Sequence, residues 1–296
     1  MDNSQVRNIS GRALLFNILL LYGFGAIAQF VPPLFGIFRR GFFCDDDSIR
    51  YPYKKDTVSS GFLICYAIFV NALAIVFVEF YRMNRVENEI DQPQYKWKNS
   101  TIHALFVRFM TYFGYSQIGF ICNITLTNIA KIVIGRLRPH FLDVCKAGNN
   151  TCTSSEHIFI SNYTCTGDPS LEMEGRKSFF SGHSSISMYA SVWTALYLQA
   201  RLLSVCGNRI IIPIIQTIVV AAGMGISLSR INDNMHHWSD VLVGMFVGSF
   251  IATYTCICWT NMFHSKNNNH SVLPTEQVRY GATSTSEATL TSEECL

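Results

Sequence analysis

The chain has 296 residues, of which 49% are hydrophobic and only 15% charged, with a formal net charge of +3. Ordinary globular domains carry about 25% charged residues, so this composition argues against a soluble protein of one or two domains. The small positive balance comes with no basic stripe and no aromatic–basic motif, which excludes a nucleic-acid partner from the reading.

The apolar residues are gathered into runs. A bilayer core is spanned by about 20 mostly apolar residues, and six runs meet that length: 13–35, 60–81, 109–130, 183–202, 210–229 and 241–263. The first is longer than the core of a secretory signal and lacks a small-residue cleavage site, so it reads as a retained helix. All six must be helical, because backbone polar groups in lipid have no water to bond. The expected fold class is all-α, a polytopic membrane protein with six transmembrane helices within 1–263. The segment 264–296 is rich in Ser, Thr, Asn and Glu and reads as a disordered cytoplasmic tail.

Six spans place both termini on one face. The loops 36–59, 131–182 and 230–240 then share the opposite face, and 82–108 and 203–209 lie with the termini. Lys and Arg divide almost evenly between the faces, so the positive-inside rule gives no orientation. Glycosylation sequons occur on both: Asn149 and Asn162 on the loop face, Asn8, Asn99 and Asn269 on the other. Cys145, Cys152 and Cys165 cluster in one loop and point it toward an oxidising compartment. Cys44 is a fourth candidate, and spacing does not choose among pairings.

Three stretches carry chemistry. Lys131 to Pro139 (KIVIGRLRP) ends the third span, Ser178 to Ser185 (SFFSGHSS) enters the fourth, and Ser229-Arg230 with His236 and Asp240 joins the fifth to the sixth. The span count puts all three on one face, where they can share a pocket. Lys131, Arg138 and Arg230 suit a phosphate dianion and the charge that develops as it is transferred. Ser181 and the Gly182 N–H add donors, and a helix starting near His183 adds its N-terminal N–H groups. His236 and Asp240 are four residues apart, so Asp240 can hold one imidazole nitrogen and leave the other aimed at phosphorus. His183 is then the acid for the leaving alkoxide. Beyond Asp240 no carboxylate cluster accompanies the histidines, so no metal and no cofactor is expected.

These stretches resemble the three signature motifs of the type 2 phosphatidate phosphatase superfamily, K-x6-RP, PSGH and SR-x5-H-x3-D, which includes lipid phosphate phosphatases and vanadium haloperoxidases. Ser178 to Tyr189 and His236 to Asp240 look most like the animal phospholipid phosphatases. The resemblance covers the chain except its tail. It implies a phosphatidate phosphatase/haloperoxidase-like helical core and metal-independent dephosphorylation of phosphatidate, lysophosphatidate, sphingosine 1-phosphate and ceramide 1-phosphate. It also implies self-association and an active site outside the cell or in an organelle lumen, with the plasma membrane as the first choice of location. By motif position His236 matches the nucleophile, His183 the acid, Asp240 the orienting carboxylate, and Lys131, Arg138, Ser181, Gly182 and Arg230 the phosphate binders. Phe180 replaces the proline of the second motif, a position that shapes the loop without contributing chemistry.

Each piece has a plainer reading. A lysine at a span end is usually a snorkelling anchor, Ser-Gly-His is a short pattern, and His236 with His237 beside Trp238 suits a membrane interface. Only their order and shared face favour a site. Arg136 and His237 fall outside the motifs and are read as supporting residues. Asn123, Thr125, Thr127 and Asn128 are expected to bond neighbouring helices. The rival functions are a phosphatase of a soluble ester, a silent lipid-binding homologue that would have lost motif residues, and a transporter, which would need mid-membrane charges.

Overall fold

The structure, a computed structural model, describes residues 6–85, 94–147, 157–203, 205–206, 209–260 and 262–263. The tail 264–296, the sequon at Asn149 and Cys152 lie outside the described residues. The chain is mostly helical: α1 (Gly11–Phe30), α2 (Ser60–Arg85), α3 (Ala104–Ile134), α4 (Phe141–Cys145), α5 (Pro169–Gly175), α6 (Gly182–Arg201), α7 (Ile211–Asn232) and α8 (Trp238–Tyr254), the last continued by a π-turn over Thr255–Trp259. Short strands in the connections depart from the all-α expectation and pair β1 (Val6–Asn8) with β3 (Gln94–Trp97), β3 with β4 (Ser100–Ile102), and β2 (Phe42–Phe43) with β5 (Phe159–Ile160).

Among the described residues five helices, α1, α2, α3, α7 and α8 with its π-turn, are long and apolar enough to cross a membrane. The fourth expected span, α6, has the length, 20 residues or about 30 Å, but falls short in apolarity. The reason is its position. It packs against α2, α3, α7 and α8, so protein rather than lipid surrounds it. Ser184, Ser185, Ser187, Ser191 and Thr194 are all buried there, and small hydroxyl residues are well suited to close helix contacts. By contrast Phe16, Leu19, Phe24 and Ile27 of α1 are exposed, as lipid-facing side chains should be.

Three features fix the bundle. Trp193, Tyr189 and Tyr197 of α6 are fully buried, and the Tyr189 hydroxyl donates to the Ser116 carbonyl at 2.6 Å. A Cβ at Gly248 would sit 2.1 Å from the Ser185 carbonyl oxygen, and one at Gly244 2.6 Å from that of Ser181. Glycines four residues apart thus let α8 lie directly on the start of α6. At the other end of the bundle, buried Glu79 of α2 accepts from the Tyr197 hydroxyl at 2.8 Å and from Arg201 Nε and Nη2, both at 3.0 Å, and lies 3.5 Å from Arg108 Nη1. A buried carboxylate persists only when paired in this way, and the cluster ties α2, α3 and α6 together.

A disulfide joins Cys145 to Cys165 across a sequence separation of 20, and closing a loop of that size stabilises by about 3 kcal/mol. Cys44 is disulfide-bonded as well. Cys145 and Cys165 belong to the small cluster around Phe42, Ile49, Leu137 and Phe141 that packs the connections over one end of the bundle. Asn162 is exposed in the same region.

Candidate active site

Three chain segments meet at that end through backbone hydrogen bonds. Gly135, with φ +57°, closes α3 with its N–H on the Lys131 carbonyl and turns the chain into Arg136–Pro139. Ser178 N–H then donates to the Arg136 carbonyl at 2.9 Å, and Arg138 N–H to that of Gly175 at 2.8 Å. The Ser181 N–H donates to the Asp240 carbonyl at 3.1 Å, and the His236 N–H to that of Arg230 at 3.3 Å. The expected convergence of the three stretches is present in the backbone itself. The ends brought together are the C-terminal ends of α3 and α7 and the N-terminal ends of α6 and α8, as alternating spans require.

A cavity of about 830 Å³ opens at this junction, and Lys131, Arg138, Gly182, His183, Arg230 and His236 all line it. Ser181 is buried and caps α6 instead, its hydroxyl accepting from the Ser184 N–H. The first-turn N–H groups of Gly182 and His183 have no acceptor within the helix. A Cβ on Gly182 would approach Lys131 Nζ to 3.5 Å, so the glycine leaves the ammonium room beside the helix terminus. Arg138 and Arg230 each bury an Nε that has no hydrogen-bond partner among the described residues. Buried donors of charged groups are costly to leave unpaired, and their arrangement calls for an anion.

His236 is 3% exposed. Its Nδ1 lies 2.7 Å from the Ser178 carbonyl oxygen, so Nδ1 carries the proton and Nε2 keeps its lone pair. Burial, and then the charges of Arg138, Lys131 and Arg230, hold its pKa well below the usual 6.5. The imidazole is therefore neutral at pH 7. The four-residue spacing predicts a direct bond from Asp240 to this ring; the structure places the carboxylate one step away, 3.9 Å from Nδ1. The Asp240 carboxylate instead accepts from the Ser178 hydroxyl at 2.5 Å, from Arg136 Nη1 at 2.5 Å and from His237 N–H at 3.1 Å, with His237 Nδ1 at 3.2 Å. It holds Ser178, and the Ser178 carbonyl orients His236. Ser178 occupies the site because its hydroxyl and carbonyl face two different partners.

His183 Nε2 donates to the Val58 carbonyl at 3.0 Å, which also accepts from Arg230 Nη1 at 3.2 Å. Residues that the motifs did not single out also meet here. Asp56 pairs with Arg230, Glu174 lies 3.3 Å from Arg138 Nη2, and His140 donates from Nδ1 to the Asn234 carbonyl at 2.8 Å. Tyr53, Asp56, His140 and Glu174 line the cavity. Only His140 carried a visible signal, standing directly after Arg138-Pro139. Asp56 and Glu174 come from connections whose path the sequence does not reveal. Of the polar residues of α3, Asn123 accepts from Ser185 at 2.5 Å and Asn128 donates to Gln29 of α1, as expected, whereas Thr125 and Thr127 bond their own helix. Among the described residues no group of three or more His, Cys, Asp or Glu side chains could hold a metal ion.

The PAP2 superfamily matches residues 114–264, a stretch that includes every residue singled out from the three motifs. The chain is 54% identical over 267 residues, 89% of its own length and 78% of the relative's, to "Phospholipid phosphatase homolog 1.2 homolog" of Caenorhabditis elegans. It is 37% identical to phospholipid phosphatase 1 of Rattus norvegicus, over 78% of this chain and 79% of the relative. With phospholipid phosphatase 2 of Homo sapiens it shares 35%, over 82% of this chain and 81% of the relative. No solved structure matches the chain.

Proposed function

The chain belongs to the PAP2 superfamily and is an integral membrane phosphatase of the phospholipid phosphatase type, and from that premise we propose that it hydrolyses lipid phosphate monoesters through a phosphohistidine on His236, without a metal. The substrates in this reading are phosphatidate, lysophosphatidate, sphingosine 1-phosphate and ceramide 1-phosphate.

The observation that carries the lipid assignment is the depth of the cavity. The residues of α3 that line it run from Lys131 back to Phe113, eighteen positions or about 27 Å of helix. Its deeper walls are apolar, with Leu63, Ile64, Ile121 and Ile124 among them. One leaflet of a bilayer core is about 15 Å thick, so this depth suits an acyl chain. A sugar phosphate would leave most of it unfilled.

In the reaction, the phosphate takes the donors of Lys131, Arg138, Arg230, Gly182 and the α6 terminus. His236 Nε2 attacks phosphorus, the bond to the ester oxygen breaks, and His183, entering the step as an imidazolium beside the bound phosphate dianion, gives that oxygen its Nε2 proton and is left as a neutral imidazole. To do so its N–H must leave the Val58 carbonyl for the substrate. Water, deprotonated by His183, then cleaves the phosphohistidine and releases phosphate. Ser181 acts by fixing the α6 terminus and Asp240 by holding Ser178. The Cys145–Cys165 disulfide and exposed Asn162 support an orientation with this face outside the cell or in a lumen and both termini in the cytoplasm. The plasma membrane is the compartment we favour.

Purified protein in detergent with EDTA is expected to release phosphate from phosphatidate and to leave glucose 6-phosphate essentially untouched. Dependence on added divalent metal, or faster turnover of the sugar ester, would overturn the proposal.

Arg136 is a positioning residue in this scheme, acting on His236 through Asp240 and Ser178. Arg136→Ala is expected to lower kcat by on the order of 10–100-fold with KM little changed. The Arg136 side chain is 32% exposed and lines a second cavity of about 490 Å³. Added methylguanidinium at millimolar concentration is therefore expected to restore part of kcat in the alanine variant, which a folding defect would not allow.

A further inference from the structure

The cavity is not uniformly apolar below the phosphate cradle. Asn128 lies three residues before Lys131, on the same face of α3 and about 4.5 Å deeper along its axis. Opposite it stands Gln29, on the last turn of α1, and both side chains line the cavity. The Asn128 Nδ2 donates to Gln29 Oε1. That bond uses one donor of Asn128 and one acceptor site of Gln29. It leaves the Asn128 carbonyl oxygen and the Gln29 amide nitrogen without a hydrogen bond among the described residues. The paired amides thus present an acceptor and a donor side by side. Beyond them the apolar wall of Ile121, Ile124 and Leu63 begins.

The level of this pair matters. With the phosphate held at Lys131, Arg138 and Arg230, the ester carbon and the next two carbons of a lipid lie at the depth of Asn128 and Gln29. In glycerol-based lipids those carbons bear hydroxyl or ester oxygens. In sphingoid lipids they bear an amine or amide and a hydroxyl. A plain alkyl phosphate offers only methylenes there and would cover the Asn128 carbonyl and the Gln29 N–H groups without a partner.

The geometry points to Gln29 and Asn128 as a subsite that binds the polar backbone of the substrate and selects glycerol- and sphingoid-based phosphates over alkyl phosphates. This rests on the lipid-phosphatase reading and deepens it. A site built to hydrogen-bond a substrate group discriminates against an analogue that lacks it, because its own polar atoms are left unpaired. Replacing the subsite by an apolar residue removes that discrimination.

The test compares kcat/KM for phosphatidate, lysophosphatidate and hexadecyl phosphate in uniform mixed micelles, for the unaltered protein, Asn128→Leu and Gln29→Leu. Each variant is expected to lose about tenfold on the two glycerolipids and to keep hexadecyl phosphate within about twofold. Turnover of hexadecyl phosphate serves as the control for folding and for the catalytic groups. An equal fall on all three substrates, or no fall on any, would overturn the subsite and leave the phosphatase reading standing. Failure of the unaltered protein on all three would overturn both.

Discussion

His236→Ala is expected to abolish lipid-phosphate turnover, with kcat lowered by about 10⁴-fold or more. The size follows from the role. The ring lines the cavity beside Lys131, Arg138 and Arg230, with Nδ1–H fixed on the Ser178 carbonyl at 2.7 Å and Nε2 left unprotonated. Removing it eliminates the covalent route and leaves only electrostatic assistance to water. Phosphate release from phosphatidate, measured beside thermal unfolding of the same preparation, checks the expectation. A folded variant that retains more than about a tenth of the activity would contradict the assignment.

Arg138→Ala is expected to cost about 10²–10³-fold in kcat/KM, the scale of losing one preorganised donor to a developing charge. Arg138 is 12% exposed at its side chain and keeps a buried Nε without a partner among the described residues. The same substitution has a second readout. Arg138 stands first among the charges that depress the His236 pKa, after burial itself. A depressed pKa keeps the imidazole neutral as the pH falls, so the acid limb belonging to His236 lies well below 6.5. Removing Arg138 leaves Lys131, Arg230 and the more distant Asp240 facing the ring, and the limb is expected to move upward. The substrate's own ionisation, near pH 6 for a phosphate monoester, is common to both enzymes. The difference between their kcat/KM profiles therefore belongs to the protein, and an unshifted limb would show that Arg138 does not act on His236.

The arrangement of the helices was legible because lipid imposes a length and an apolarity on any segment it surrounds. That logic weakened only at α6, where neighbouring helices replace lipid and serines replace leucines. The members of the cradle were legible from order along the chain. The connections among them were not, since hydrogen bonds to backbone carbonyls leave no trace in residue type. Ser178 illustrates this: it stands at the edge of a motif, yet its carbonyl takes the bond that the spacing predicts for Asp240. Arg136 and His237, read from the sequence as supporting residues, both touch Asp240 directly. Asp56 and Glu174 reach the site from connections with no periodic pattern, so nothing local announced them. The choice of Cys165 as the partner of Cys145 likewise depended on a chain path that spacing alone does not supply.

The most direct test of the phosphohistidine is to trap it. Protein mixed with phosphate-labelled phosphatidate and quenched in alkali within a turnover should carry label on the peptide containing His236. The label should vanish under acid, to which a phosphoryl–nitrogen bond is labile, and be absent from the His236→Ala protein. Label on any other residue, or rapid turnover with no labelled protein at any quench time, would contradict it.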